Sequence, residues 1–188
     1  MGGLINAARY AKIKLVAYRC AIYSIALYLI SIAQVTFFSR VNVLSATPDL
    51  LLGAVTALAI REDEKVCSIC GIISGLFYSS LGGASLPFYL PFSFVCAYLL
   101  KIAAERQFGK KYISYLALSA LGFGAKSLYN LVESSASASS FSLLAIIYRI
   151  VIPEFISSMI FCSISYVIIN TLSQILNKRA HHRREYLK

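Results

Sequence analysis

The chain has 188 residues, 59% of them hydrophobic and 14% charged, with a net charge of +10 and a mean hydropathy of +0.72. A soluble domain carries about 25% charged residues, so this composition excludes an ordinary water-soluble globule and makes the bilayer the expected solvent. The basic excess does not point to nucleic acid, because the charges sit between apolar runs and at the two ends, as topology determinants do.

Residues 20–39, 66–100 and 155–177 are uncharged runs of 20, 35 and 23 residues. A helix needs about 20 apolar residues to cross a hydrocarbon core of roughly 30 Å. The expected fold class is therefore all-α: a polytopic integral membrane protein with six transmembrane helices in one compact bundle, forming a single domain over residues 1–188.

The first span is expected over 15–38, behind a basic stretch with Arg9, Lys12 and Lys14. Its apolar run is too long for a signal peptide and no A-x-A site closes it, so it reads as retained. Asn6 stands where a myristoylation signal needs Ser or Thr. The second span covers 41–60, with Thr47 as N-cap, Pro48 at the first helical position and Asp49 in the first turn. A charged loop, 61–65, follows. The 35-residue run is too long for one crossing. Gly82 and Gly83, with Pro87 and Pro91 beyond, divide it into spans at 66–81 and 87–100. A basic connection, 101–111, leads to a fifth span at 112–132, interrupted by Lys126. Residues 133–140 read as a small-residue loop and 141–148 as a short interfacial helix. The sixth span covers 150–176, and a basic tail, 178–188, ends the chain.

Lys and Arg set the orientation of such a protein. Arg9, Lys12, Lys14 and Arg19 precede or open the first span, Arg61 and Lys65 follow the second, and Lys101, Arg106, Lys110 and Lys111 follow the fourth. Lys178, Arg179, Arg183, Arg184 and Lys188 lie in the tail. Fifteen of the 18 basic residues thus fall on one side of a six-span arrangement, and Arg40 alone lies in the opposite loops. Both termini are therefore expected on the cytoplasmic side.

The chemistry of catalysis is thin. Both histidines, His181 and His182, lie in the tail, so no Ser-His pair is expected inside the membrane. The two aspartates, Asp49 and Asp63, are expected on opposite sides and cannot share a proton. Cys67 and Cys70 form one CxxC without a second pair or a neighbouring His, half of a zinc site, and an odd count of five cysteines does not make a disulfide framework. No enzyme, metal or cofactor is expected. Ionisable groups within spans are the functional candidates. Lys126 lies about 9 Å inside the outer end of its span, with Arg149 and Glu154 near the start of the sixth span on the same side. Lys126 either pairs with Glu154 or snorkels outward unpaired. Gly71 and Gly75 form a GxxxG, a surface for close helix packing within the bundle or against a partner.

The stretch over 47–101, TPDLLLGAVTALAIREDEKVCSICGIISGLFYSSLGGASLPFYLPFSFVCAYLLK, resembles the rod shape-determining membrane protein family MreD. The matching features are Pro48 and Asp49 before an apolar run, Arg61, Gly71 with Gly75 and Leu76, a turn at Gly82 or Gly83, and Tyr98. Arg149 before Ile150-Val-Ile-Pro153 resembles the start of that family's last span. Two positions depart from the family pattern. Tyr78-Ser79-Ser80 stand where an Asp is usual and Ser157-Ser158 where an Asn is frequent, which removes the expectation of a polar role there. The resemblance implies a non-catalytic scaffold of the cell-elongation and peptidoglycan-synthesis machinery. The implied partners are membrane lipids, an MreC-like bitopic protein and, through it, an MreB-like filament and peptidoglycan synthases. It also implies a fold like the substrate-binding S component of energy-coupling vitamin transporters, which is the alternative function, with tyrosines and phenylalanines available to line a pocket.

Overall fold

The computed structural model describes residues 2–38, 48–81, 89–106, 111–137 and 147–185. These form six α-helices with no strand among them, as the all-α expectation requires. They are α1 Gly2–Ala33, α2 Leu50–Arg61, α3 Glu64–Ser80, α4 Tyr89–Arg106, α5 Tyr112–Ser137 and α6 Ile152–Glu185. A π-helical turn, Gln34–Phe38, ends α1, and a second, Ile147–Val151, leads into α6.

The bundle is organised around α2. Its sequence, LLLGAVTALAIR, is apolar on every side, and a helix hydrophobic all round must be buried. Every residue from Leu50 to Ile60 is buried. At 12 residues α2 is only about 18 Å long, whereas α1 and α6, with 32 and 34 residues, reach about 50 Å. The other helices surround α2. From α6, Cys162 faces Gly53, where an added Cβ would meet the Cys162 Cβ at 3.3 Å.

The segments Ile13–Phe37, in α1 and the π-helical turn after it, and Ile152–Lys178, in α6, are long and apolar enough to cross a membrane; Leu50–Arg61 is a shorter apolar helix. The polarity of α6 runs inside out. Ser157, Ser158, Ser165 and Ser173 are buried, while Ile160, Ile164, Val167 and Ile175 are exposed.

Several boundaries differ from the sequence expectation. Asp49, not Thr47, is the N-cap of α2, and Pro48 precedes the helix; Thr47 and the rest of 39–47 lie outside the described residues. The charged loop after α2 shrinks to Glu62 and Asp63, because α3 already begins at Glu64. α4 continues through Lys101 to Arg106, and α5 runs through the expected small-residue loop to Ser137. α6 extends through most of the basic tail to Glu185. Polar residues of good helix propensity, with lysine, arginine and glutamate foremost, continue a helix beyond an apolar run, so charge marks where apolarity stops and not where the helix stops. Residues 82–88, with Gly82 and Gly83, and most of the expected interfacial helix lie outside the described residues.

Candidate functional site

Because α2 is short and surrounded, both of its ends lie inside the protein. A helix leaves its first four N–H groups and last four carbonyls without internal partners, and without water each unsatisfied group costs several kcal/mol. Side chains from other helices meet this demand at both ends.

At the N-terminal end, four consecutive N–H groups find acceptors. The Asp49 N–H donates to Ser158 Oγ of α6 at 2.9 Å. The N–H groups of Leu50 and Leu51 both donate to Gln34 Oε1, at 3.1 and 3.2 Å. The Leu52 N–H donates to Asp49 Oδ1 at 3.0 Å, which makes Asp49 a side-chain N-cap. A carboxylate here also interacts favourably with the positive end of the helix dipole.

The second oxygen of Asp49 meets a lysine. Lys126 Nζ of α5 lies 2.6 Å from Asp49 Oδ2 and 2.7 Å from Glu154 Oε1 of α6. The contact with Asp49 is an ion pair close in distance but not aligned as a hydrogen bond. Asn130 Nδ2 donates to Glu154 Oε2 at 2.9 Å, and Lys126 Nζ stands 4.9 Å from the centre of the Tyr78 ring, within cation–π range. Tyr78 stacks on Tyr89, with ring centres 4.1 Å apart. Of the two readings of Lys126 the structure shows the pairing: the buried lysine lies between two carboxylates, paired with Glu154, as one expectation had it, and with Asp49 besides. It does not snorkel.

At the C-terminal end the hub is Glu62, whose side chain is wholly buried. Its Oε2 accepts from Arg19 of α1 at 2.6 Å. Its Oε1 accepts from the hydroxyls of Tyr23 of α1 and Ser173 of α6, at 2.6 and 3.0 Å. Arg19 also donates to Asn177 Oδ1 of α6 at 2.6 Å. Lys101 Nζ of α4 donates to the Glu62 carbonyl at 2.6 Å, which places a cation on the negative end of the α2 dipole. Beside this hub, Arg61 donates to the Tyr166 hydroxyl at 2.8 Å and lies over its ring.

Gly71 and Gly75 face α4. A Cβ on Gly71 would lie 2.5 Å from the Ala97 Cβ, and one on Gly75 would lie 2.9 Å from the Ser93 Cβ. The Ser93 hydroxyl donates to the Gly71 carbonyl at 2.8 Å across the same contact. Of the two uses expected for the GxxxG, the contacts with Ala97 and Ser93 are those of close packing within the bundle. Tyr98 faces outward, 39% exposed. Pro153 is the second residue of α6, where a missing N–H costs nothing. Arg149 lies in the turn Ile147–Val151, and its side chain lies outside the described residues. All five cysteines are buried and free.

Sequence reasoning joined Lys126 to Glu154 but missed Gln34, Ser158 and Glu62. Gln34 had one usable signal, being an amide in an otherwise apolar stretch. Nothing distinguished Glu62 from its acidic neighbours Asp63 and Glu64. The two departures from the family pattern also keep polar roles, since Tyr78 faces Lys126 and Ser158 accepts from Asp49. Both clusters are built from paired charges and side-chain hydrogen bonds between helices, an arrangement that fixes helices relative to one another. A comparison with protein-family models, curated proteins and solved structures finds no match to this chain.

Proposed function

We propose that this chain is a six-span protein of the bacterial inner membrane, with both termini in the cytoplasm, acting as a non-catalytic scaffold of the cell-elongation machinery in the manner of MreD. The inside-out polarity of α6 is the observation that supports placement in lipid most directly: Ser157, Ser158, Ser165 and Ser173 are turned inward, while Ile152, Ile156, Ile160, Ile164, Ile168 and Ile175 are exposed and Ile169 is buried, largely the reverse of a soluble helix. Arg19, Lys101 and Asn177 meet at the Glu62 end of α2, which is consistent with the one-sided distribution of basic residues and with a cytoplasmic face there.

The scaffold reading rests on the resemblance over residues 47–101 and on the use made of the ionisable groups. Asp49, Glu62, Lys101 and Lys126 serve the ends of α2 or one another, so they act as positioning residues. A vitamin carrier needs a ligand pocket of roughly 300–1,000 Å³. Beside the buried Asp49 cap, between Gln34, Leu51 and Tyr78, the space is only about 30 Å³, room for about one water. Two larger spaces, about 660 Å³ between α1 and α6 and about 270 Å³ between α4 and α5, are lined almost wholly by apolar side chains away from the buried charges. This separation of volume from polar groups favours the scaffold over the transporter alternative.

Depletion in the native host tests the function. Loss of rod shape, together with copurification of an MreC-like single-span protein, is the expected result. Normal elongation with loss of vitamin uptake overturns the scaffold in favour of the transporter reading. Labelling of a single cysteine in the C-terminal tail from outside intact cells overturns the topology.

A further inference from the structure

α1 and α6 run antiparallel and leave between them a groove of about 660 Å³, lined by apolar side chains and Thr171, with Ile22, Leu29 and Ala33 on one side and Val167, Thr171 and Leu172 on the other. It opens on the outer surface of the bundle, where the exposed residues Ile25, Leu29 and Val167 form its rim. The hydrogen bond from Arg19 to Asn177 ties the two helices together just beyond one end of it.

Charge is not distributed evenly around that groove. On α1, Lys14 and Tyr18 continue the stripe of Ile22, Ile25 and Leu29 at offsets of four, eight, eleven and fifteen residues, the spacing of one helix face. On α6, Ile175 and Lys178 continue the stripe of Thr171 at offsets of four and seven. Lys14, Tyr18 and Lys178 are all exposed, and no described residue pairs with either lysine. Arg19 is already committed to Glu62 and Asn177. Two unpaired ammonium groups therefore flank the same end of an apolar groove, at the end where Arg19 and Asn177 meet.

An apolar trough with a cationic mouth is complementary to one kind of molecule, an anionic phospholipid. We propose that the α1/α6 groove is a lipid site of the cytoplasmic leaflet, with an acyl chain along the groove and the phosphate held between Lys14 and Lys178. The groove alone gives little preference among lipids, since the surrounding tails are as apolar as its walls. Selection comes from the headgroup, and basic residues near an anionic leaflet supply it. Such a lipid would fill the gap between the two helices that Arg19 and Glu62 join, and so would brace the first span against the last. This inference rests on the membrane placement proposed above.

Native mass spectrometry of the detergent-extracted chain with an equal mixture of phosphatidylglycerol and phosphatidylcholine tests it. The wild type retains phosphatidylglycerol in preference. Lys14→Gln and Lys178→Gln, both at exposed positions, each lower that preference about fivefold. Thr171→Phe, also at an exposed position, puts a ring into the groove and lowers retention of both lipids alike. Equal retention of the two lipids by the wild type, an unchanged preference in the double lysine variant, or undiminished retention in Thr171→Phe overturns the site. A crosslinker at position 171 that captures a single-span protein in stoichiometric yield also overturns it, by showing that the occupant is a helix. Recovery of the chain in the soluble fraction of the cell would sink the membrane placement itself, whereas a membrane-extracted chain with no lipid selection sinks only the lipid site.

Discussion

Lys126 and Asp49 meet at 2.6 Å with both side chains almost entirely out of contact with solvent. Asp49 is at the same time the N-cap of α2, so a single carboxylate closes the central helix and binds α5 to it. Glu154 completes the contact from α6. Three helices therefore converge on one ammonium group.

Removing that ammonium strands two carboxylates, Asp49 buried and Glu154 mostly so. Breaking a buried ion pair by deleting one partner costs about 3–5 kcal/mol, whereas replacing all partners with neutral groups of similar volume is often close to neutral. Lys126→Met is expected to lose stability on that scale in thermal unfolding of the detergent-solubilised protein. The combination of Lys126→Met with Asp49→Asn and Glu154→Gln is expected to recover a large part of it. A single variant as stable as the wild type would show that the cluster contributes nothing.

The second cluster separates three acidic neighbours that look alike in sequence. Glu62→Ala deletes the acceptor of Arg19, Tyr23 and Ser173 and leaves Arg19 uncompensated, again a loss of about 3–5 kcal/mol. Asp63 and Glu64 are exposed, and their alanine variants are expected to unfold at the wild-type temperature. Equal effects at all three positions would contradict the hub.

The glycines of α3 give a test of internal packing. A methyl group on Gly71 would enter the space of Ala97, and overpacking of this kind typically costs about 1–3 kcal/mol. Gly71→Ala should therefore lower the unfolding temperature with no partner present. Gly124 in α5 has nothing within 4 Å of an added Cβ. Gly124→Ala is expected to raise stability by about 0.4–1 kcal/mol through the unfolded state. Loss of partner binding by Gly71→Ala at unchanged stability would return the GxxxG to the surface.

The five cysteines provide a measure of the whole arrangement. All are buried and free, so none should react with a membrane-impermeant maleimide in the folded protein, and all five should react after denaturation in dodecyl sulfate. Rapid labelling of Cys67 or Cys70 in the folded state would be incompatible with their places in the core.

The sequence by itself determined the all-α class, the approximate position of the six described helices and the presence of segments able to cross a membrane, because these follow from the length and apolarity of local runs. It also brought out Asp49, Lys126 and Glu154, since an ionisable side chain among apolar neighbours has few options other than pairing. Only the tertiary structure decided what those charges serve. That α2 is too short to carry its own ends to the surface, and is enclosed by the other helices, depends on how the helices pack. The resulting demand for buried caps brings in Gln34 from the π-helical turn after α1, Ser158 from α6 and Lys101 from α4. The same packing chose Glu62 over Asp63 and Glu64. One residue of difference in the turn after α2 points one carboxylate into the bundle and the others into solvent, a choice made by helix orientation and not by any local property of the three side chains.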